Sequence, residues 1–329
     1  MPQPLEIHPG SVVYVINPAA GGGGQQRTVA DACRWASQRA GLDSVVVTTV
    51  SADHSAQVAA AAHNAGAAAI FGCGGDGTLA AILQGLPVGS PTALGAMPLG
   101  TANVWVDETR IPRQPVRALE AQLDVLNGNR GEVLWADTGR AHTSGSSRRF
   151  LLMVGFGLDA AAVAGIVGSK RRQRLKRLIG EPIYFLSAVS ESIGEPGWRV
   201  RMSIDGSPPR DLEIGMLTLG NTRQIGTWLE VNPHAVATDG QLDALLVDAP
   251  PWRALALAPL ARNGLMTSSP GVTQLRFRKL ELWPLGAPPP CQIDGDPGPT
   301  GVHTIEVEHH ALRVLCPDPD APVLRGEQF

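Results

Sequence analysis

Lysine is missing from the first half of this 329-residue chain: none occurs before Lys170. A phosphate-binding loop of the G-x-x-x-x-G-K-[ST] type is therefore excluded there. Charge of either sign is missing from Gly77 to Val106, a stretch long enough to invite a membrane-span reading. Pro87, Pro91, Pro98 and several glycines interrupt it, whereas a spanning helix needs about 20 mostly apolar residues in helical conformation. Residues 151–168 are the next such stretch, with Asp159 at the centre, where a charge costs about 3 kcal/mol. The chain is therefore read as soluble. Cys33, Cys73, Cys291 and Cys316 lie far apart with no C-x-x-C pair, so neither a zinc site nor a disulfide framework is indicated, which fits a reducing cytoplasm. The eight histidines contain no H-E-x-x-H, His309 and His310 read as surface strand, and no G-x-S-x-G is present, leaving a serine hydrolase unsupported. The opening MPQPLEIHPG lacks the basic start and apolar core of a secretory leader. A net charge of −3 and a pI near 6.2 supply no basic field, so no nucleic-acid partner is expected.

What is present changes character along the chain. The first part alternates β-branched or apolar runs with amphipathic ones: strands at 12–16, 45–50, 67–71 and 93–97, helices at 27–40, 55–65 and 79–86. Asp53 or Ser55 is the expected cap of the second helix. Such alternation predicts a parallel sheet covered by helices on both faces, with ligands at the carboxyl ends of the strands. After about residue 130 short strands dominate, at 131–137, 150–156, 198–204, 212–219, 241–247, 275–283, 303–307 and 312–315, with one long helix at 173–192. Many short strands between Gly/Pro-rich turns predict a sandwich or barrel. The expected division is an α/β domain over 1–130 and a β-sandwich over 131–315, with a tail at 316–329 that packs back on the first domain. Residues 140–149 read as a polar loop and 317–329 as irregular.

Three segments at predicted strand ends carry the chemistry. They are Asn17-Pro18-Ala19-Ala20-Gly21-Gly22-Gly23-Gly24, Gly72-Cys73-Gly74-Gly75-Asp76-Gly77-Thr78 and Pro98-Leu99-Gly100-Thr101-Ala102-Asn103. Glycine lets backbone N–H groups approach phosphate oxygens, and a following helix N-terminus favours the negative charge. Without lysine, phosphate binding would rest on these N–H groups, on Thr78 and Thr101, on Arg27 and on Mg²⁺ held by Asp76. The second segment formally matches G-x-G-x-x-G, but a dinucleotide fold wants an acidic residue about 20 positions later, and none occurs between Asp76 and Asp107.

GGDGT after an apolar strand, followed by PLGT, resembles the diacylglycerol kinase catalytic-domain family, which includes bacterial lipid kinases and the sphingosine and ceramide kinases. Most of the chain takes part. Residues 17–21 are similar to the family's first nucleotide loop, and Gly155-Phe156-Gly157-Leu158-Asp159-Ala160 to the start of its second domain. Leu175-Lys176-Arg177 with Gly180 and Tyr184, Asn221, Thr238-Asp239-Gly240-Gln241-Leu242-Asp243 and Ile293-Asp294-Gly295-Asp296 match further stretches. GGDGT alone is shared with NAD kinases; the ordered set is far more specific.

The resemblance implies a nucleotide-binding domain like those of NAD kinase and phosphofructokinase, followed by a β-sandwich that takes the lipid. It implies ATP and Mg²⁺ as cofactors. The nucleotide would meet Asn17, Gly21, Gly22, Gly74, Gly75, Asp76, Gly77, Thr78, Thr101 and Asn103. Asp294 matches the family's general base, with Asp296 nearby, and Asp239 and Asp243 match a metal-binding stretch. The chain departs from the family at Leu79-Ala80-Ala81 and Val104, where many members carry carboxylates. The run Lys170, Arg171, Arg172, Arg174, Lys176 and Arg177 is the dense basic segment; it reads either as a solvated helix start or as a surface for anionic lipid, at roughly 1 kcal/mol per basic residue. Peripheral membrane association is the matching expectation, and an edge strand of the sandwich offers a surface for a homodimer. Two alternatives stay open: a kinase of a soluble acceptor, and a non-catalytic lipid or nucleotide sensor.

Overall fold

The computed structural model describes residues 6–20, 26–167, 197–226, 229–261, 265–301 and 303–325. Gly21 and Gly22, the basic run 170–177 and the helix expected at 173–192 lie outside the described residues. The chain forms two compact units: residues 1–137 with 309–329, and residues 138–308.

The first unit is built on strands β1 (Val12–Ile16), β2 (Ser44–Thr48), β3 (Ala69–Gly74) and β4 (Ser90–Pro98). They lie parallel in the order β2-β1-β3-β4, with Val12 opposite both Ser44 and Ala69. The C-terminal half of a long strand, β18 (His303–Cys316), joins β4 in parallel through Leu312 and Val314. Buried β-branched and aromatic residues on both faces are what a covered parallel sheet requires. Tyr14, Phe71 and Cys73 pack with Val29 and Cys33 of helix α1 (Gln26–Arg39) and with Leu119 and Leu123 of α5 (Pro115–Leu126). On the sheet's other face a Cβ on Gly72 would strike Leu79 and Ile82 of α3 (Asp76–Gly85), which packs on α2 (Ala52–Asn64). The α2 cap is Ser51, whose Oγ accepts the His54 N–H, not Asp53 or Ser55. The helix begins earlier than its alanine-rich core shows because the cap, not the periodicity, fixes its first residue. A short helix, α4 (Val104–Glu108), follows the third glycine segment.

The second unit has two antiparallel layers. One runs β14 (Val272–Phe277), β13 (Leu242–Val247), β10 (Met216–Gly220), β7 (Met153–Gly157), β16 (Cys291–Ile293), β17 (Asp296–Pro297). The other contains β15 (Lys279–Pro284), β8 (Trp198–Ile204) and β9 (Arg210–Ile214) beside the first half of β18. Phe150, Val154, Phe156, Leu217, Leu242, Phe277, Leu280, Leu282 and Ile305 fill the space between them. The fold is thus an α/β unit on a parallel sheet and a β-sandwich.

Several sequence expectations change here. The stretch 140–149 is not a loop: β5 (Glu132–His142) and β6 (Ser147–Phe150) form a hairpin through it, because Arg140 and Arg149 both turn onto Glu308. Residues 212–219 are two strands parted at Gly215, where Ala249 and Pro250 approach too closely for a side chain. Residues 150–156 and 275–283 also split. The two strands expected at 303–307 and 312–315 are one, bent at His310, which has φ 50°. Helices α6 (Leu158–Val167) and α7 (Pro251–Ala261) were not expected; apart from Asp159 in one and Arg253 in the other, both consist of apolar and small residues, so no helical period shows. The tail carries a short helix, α8 (Pro322–Arg325). Among the described residues no helix is long and apolar enough to cross a membrane.

Candidate functional site

In the sheet order β2-β1-β3-β4, the chain leaves β1 toward one edge and β3 toward the other. Ligands of open α/β sheets bind at such a switch point, beyond the carboxyl ends of the strands. The loops after β1 and β3 therefore meet there. Asn17 binds them together: its N–H donates to the Cys73 carbonyl (3.1 Å) and its Nδ2 to Thr78 Oγ1 (3.2 Å). Its Oδ1 accepts the Ala19 N–H, closing the first loop into a turn.

The glycines of the second loop are of two kinds. A Cβ on Gly74 would lie 2.1 Å from Thr78 Oγ1, so the residue is small because Thr78 folds over it. A Cβ on Gly100 would lie 2.6 Å from the Gly75 Cα, so the second and third loops touch backbone to backbone. Gly77, by contrast, is exposed, has no heavy atom within 4 Å of a notional Cβ, and has ordinary φ. Nothing among the described residues explains it. It stands in the first turn of α3, where the Thr78 and Leu79 N–H groups donate to the Gly75 carbonyl (2.8 and 3.4 Å) and the Gly77 N–H precedes the first intrahelical acceptor.

Asp76 is largely buried. Its Oδ2 accepts the Val104 N–H (2.9 Å) and its Oδ1 the Trp105 N–H (3.1 Å), tying it to the start of α4. Burial raises its pKa against the pull of those two donors. A carboxylate offers about four acceptor sites, so capacity for a cation or its water remains. Among the described residues no three His, Cys, Asp or Glu side chains gather as a metal cage. Mg²⁺ suits a site with one carboxylate, its other ligands being waters and phosphates. Asn103 has φ 55° and holds one peptide: its Oδ1 accepts the Gly100 N–H and its Nδ2 donates to the Gly100 carbonyl. Thr101 is exposed beside it.

In the second unit Asp294, also at positive φ, is buried under three backbone donors. Its Oδ2 accepts the Leu151 N–H (2.9 Å), and its Oδ1 accepts those of Leu152 (2.8 Å) and Met153 (3.1 Å). Oδ2 keeps a lone pair. Burial pushes the carboxyl up to about 6 against these donors. Asn221 and Thr222 take the carbonyls of the same segment, Nδ2 to Leu151 and Oγ1 to Leu152. Sequence reading did not foresee Gln292, which links Asp159 Oδ2 (3.3 Å) to the Gly295 N–H (2.8 Å). Its only signal was its place beside Asp294. Asp159, whose buried Oδ1 has no hydrogen-bond partner among the described residues, is pushed up to about 7 by desolvation. Asp296 is exposed and paired with Arg148 at 3.0 Å.

Asp239 and Asp243 lie near each other through a shared cation. Both face Arg276, which pairs closely with Asp239 and stands 3.7 Å from Asp243 Oδ1. The positive charge that a metal would bring is here a guanidinium.

Residues 11–131 match the diacylglycerol kinase catalytic domain, and residues 153–316 match the YegS C-terminal NAD kinase beta sandwich-like domain. The chain belongs to the diacylglycerol kinase catalytic-domain family. A diacylglycerol kinase of Mycobacterium tuberculosis is 27% identical over 240 residues, covering 73% of this chain and 74% of the relative. A probable YegS-like lipid kinase of Pseudomonas fluorescens is 28% identical over 306 residues, covering 88% and 91%. The solved structure of a putative diacylglycerol kinase from Bacillus anthracis shares the fold, with a TM-score of 0.78 over 98% of this chain and 99% of that one, at 18% identity.

Proposed function

We propose that this lipid kinase family member transfers the γ-phosphate of ATP to the hydroxyl group of a lipid such as diacylglycerol. The observation that carries the reading is the switch point between β1 and β3, where Asn17 and Thr78 join two loops and Gly77 leaves a helix N-terminus open. In an ATP complex the N–H groups at the start of α3 and the Thr101 hydroxyl receive phosphate oxygens. Asp76 is the residue that would hold Mg²⁺, which neutralises phosphate charge when bound. Asn103, occupied with Gly100, sets the shape of the third loop.

Asp294 takes the proton of the acceptor hydroxyl as its oxygen attacks the γ-phosphorus, whose bond to the β,γ-bridging oxygen breaks to release ADP. Burial makes it a stronger base than an exposed aspartate, and a pKa near 6 leaves it ionised at neutral pH. Its three N–H donors fix the carboxylate and leave one Oδ2 lone pair for the incoming proton. The basic run 170–177 is proposed to meet anionic lipid headgroups at a membrane surface.

The test is transfer from γ-labelled ATP with Mg²⁺ to diacylglycerol, monoacylglycerol, sphingosine, ceramide and phosphatidylglycerol in mixed micelles, with NAD as soluble acceptor. A labelled lipid is expected. Label on NAD instead would replace this reading by a soluble-acceptor kinase, and ATP binding without transfer to any acceptor would replace it by a sensor.

A further inference from the structure

We propose that helix α7 and the turn after it form a ridge that inserts into an anionic lipid surface; the inference rests on the lipid-acceptor reading and adds where the protein meets the bilayer. The α7 sequence, PWRALALAPLA, has one charged residue, Arg253. Its inner face is explained: Ala254 and Ala261 are buried in a cluster with Leu158, Val231, Leu245, Val247 and Met266. Its outer face is apolar too. Trp252, Ala256, Pro259 and Leu260 are exposed at i, i+4, i+7 and i+8, an arc of about 100° on a helix of 3.6 residues per turn. Trp252 is 59% exposed, and Leu265 in the following 3₁₀ turn is 56% exposed. Of nine large exposed hydrophobic side chains among the described residues, three fall between 252 and 265, which makes this a patch where the others are scattered.

A helix packed on one face and bathed in water on the other carries polar residues outward. Helix α1 does so, with Asp31 and Arg34 in solvent. Helix α7 does not, so its outer face suits a medium other than water. Charge identifies that medium. Between Asp248 and Glu281 the sequence has no acidic residue and five basic ones, in a chain with 30 Asp and Glu. Arg276 and Lys279 have carboxylate partners, whereas Arg253 donates to the neutral Pro270 carbonyl (2.8 Å) and has no carboxylate partner among the described residues. Tryptophan and leucine beside an arginine, in a segment without carboxylates of its own, is the composition of an interfacial helix on anionic lipid.

The test uses the full chain and vesicles of phosphatidylglycerol mixed with phosphatidylcholine. Wild-type protein is expected to sediment with them, and Trp252→Ser with Leu260→Ser to bind about tenfold more weakly or worse. Lipids brominated in the acyl chain should quench a fluorescence component that Trp252→Phe lacks. Both side chains are surface residues, and an unchanged circular dichroism melt checks folding. Transfer to a detergent-dispersed acceptor should stay at the wild-type rate in the double variant while transfer to vesicle-embedded acceptor falls with binding. Unchanged vesicle binding, no quenching at Trp252, or a wild-type dimer that the double variant dissociates would each overturn the proposal, the last because a second copy would then cover the ridge. Absence of transfer by the wild type overturns the lipid-acceptor reading alone; the binding comparison still decides the role of α7.

Discussion

In the proposed transfer, Asp294 carries the heaviest chemical demand of any single residue. Its carboxylate is held by the N–H groups of Leu151, Leu152 and Met153, and the left-handed backbone that aims it there needs a residue tolerant of positive φ. Asp294→Asn keeps the shape and one acceptor oxygen but loses the base and, at its Nδ2, the acceptor for one backbone N–H, so transfer should fall about 10²- to 10⁴-fold by initial rates per folded protein, with folding checked by circular dichroism. In the wild type kcat/KM should rise with pH through about 6 as this carboxyl ionises, then level off. Asp159 tests the cost of a buried charge. Its folded pKa of about 7 stands above that of an exposed aspartate, so the protonated form is favoured on folding. Its contribution to stability is therefore full below about pH 4 and is lost as pH rises through 7. Asp159→Asn should flatten the decline of denaturation free energy over that window by a few kcal/mol. Unchanged pH dependence would contradict the burial argument. The loop that carries Asp76 was legible in the sequence as a glycine-rich turn at a strand end, whereas Asp294 was singled out by the resemblance to the family, its Asp-Gly pair alone announcing only a turn. The pairing of Gln292 with Asp159 and Gly295 was not legible, because it joins positions 133 residues apart.

At the scale of elements, the loop between β3 and α3 separates packing from ligand approach. Gly100→Ala would press a methyl group into the Gly75 backbone at 2.6 Å and should destabilise by about 1–3 kcal/mol in chemical denaturation. Gly77→Ala meets no atom and exchanges glycine for a better helix former, so it should leave stability unchanged or raise it by up to about 1 kcal/mol. If phosphates approach that turn, it should weaken ATP binding about tenfold or more by calorimetry; wild-type affinity in Gly77→Ala would remove the turn from the site. The α2 cap gives a smaller effect, with Ser51→Ala expected to cost about 1 kcal/mol. The strands of the first sheet were legible because short apolar runs alternate with amphipathic helical stretches. In the second unit the strand ends were not. Splits such as that at Gly215 come from close approach of distant backbone, and α6 and α7 show no period because, apart from Asp159 and Arg253, both consist of apolar and small residues.

For the whole molecule, the sequence pattern identifies an α/β unit and a β-sandwich because the two halves obey different hydrophobic periods. It does not identify the crossing at Asp137 and Glu308, because β5 and β18 run on through both boundaries without a break in composition. Asp137, buried, accepts from His309 Nδ1 and the His310 N–H at 2.8 Å and so fixes the bend of β18 where it enters the first unit. The central claim is that one chain both holds ATP at the switch point of its parallel sheet and uses Asp294 to activate a lipid hydroxyl. Single-turnover transfer from γ-labelled ATP to micellar diacylglycerol, by wild-type protein and Asp294→Asn at equal ATP occupancy, tests it most directly. The expected result is a labelled lipid from the wild type and a rate at least about 10²-fold lower from the variant, with ATP affinity unchanged. Equal rates from the two proteins would contradict the account.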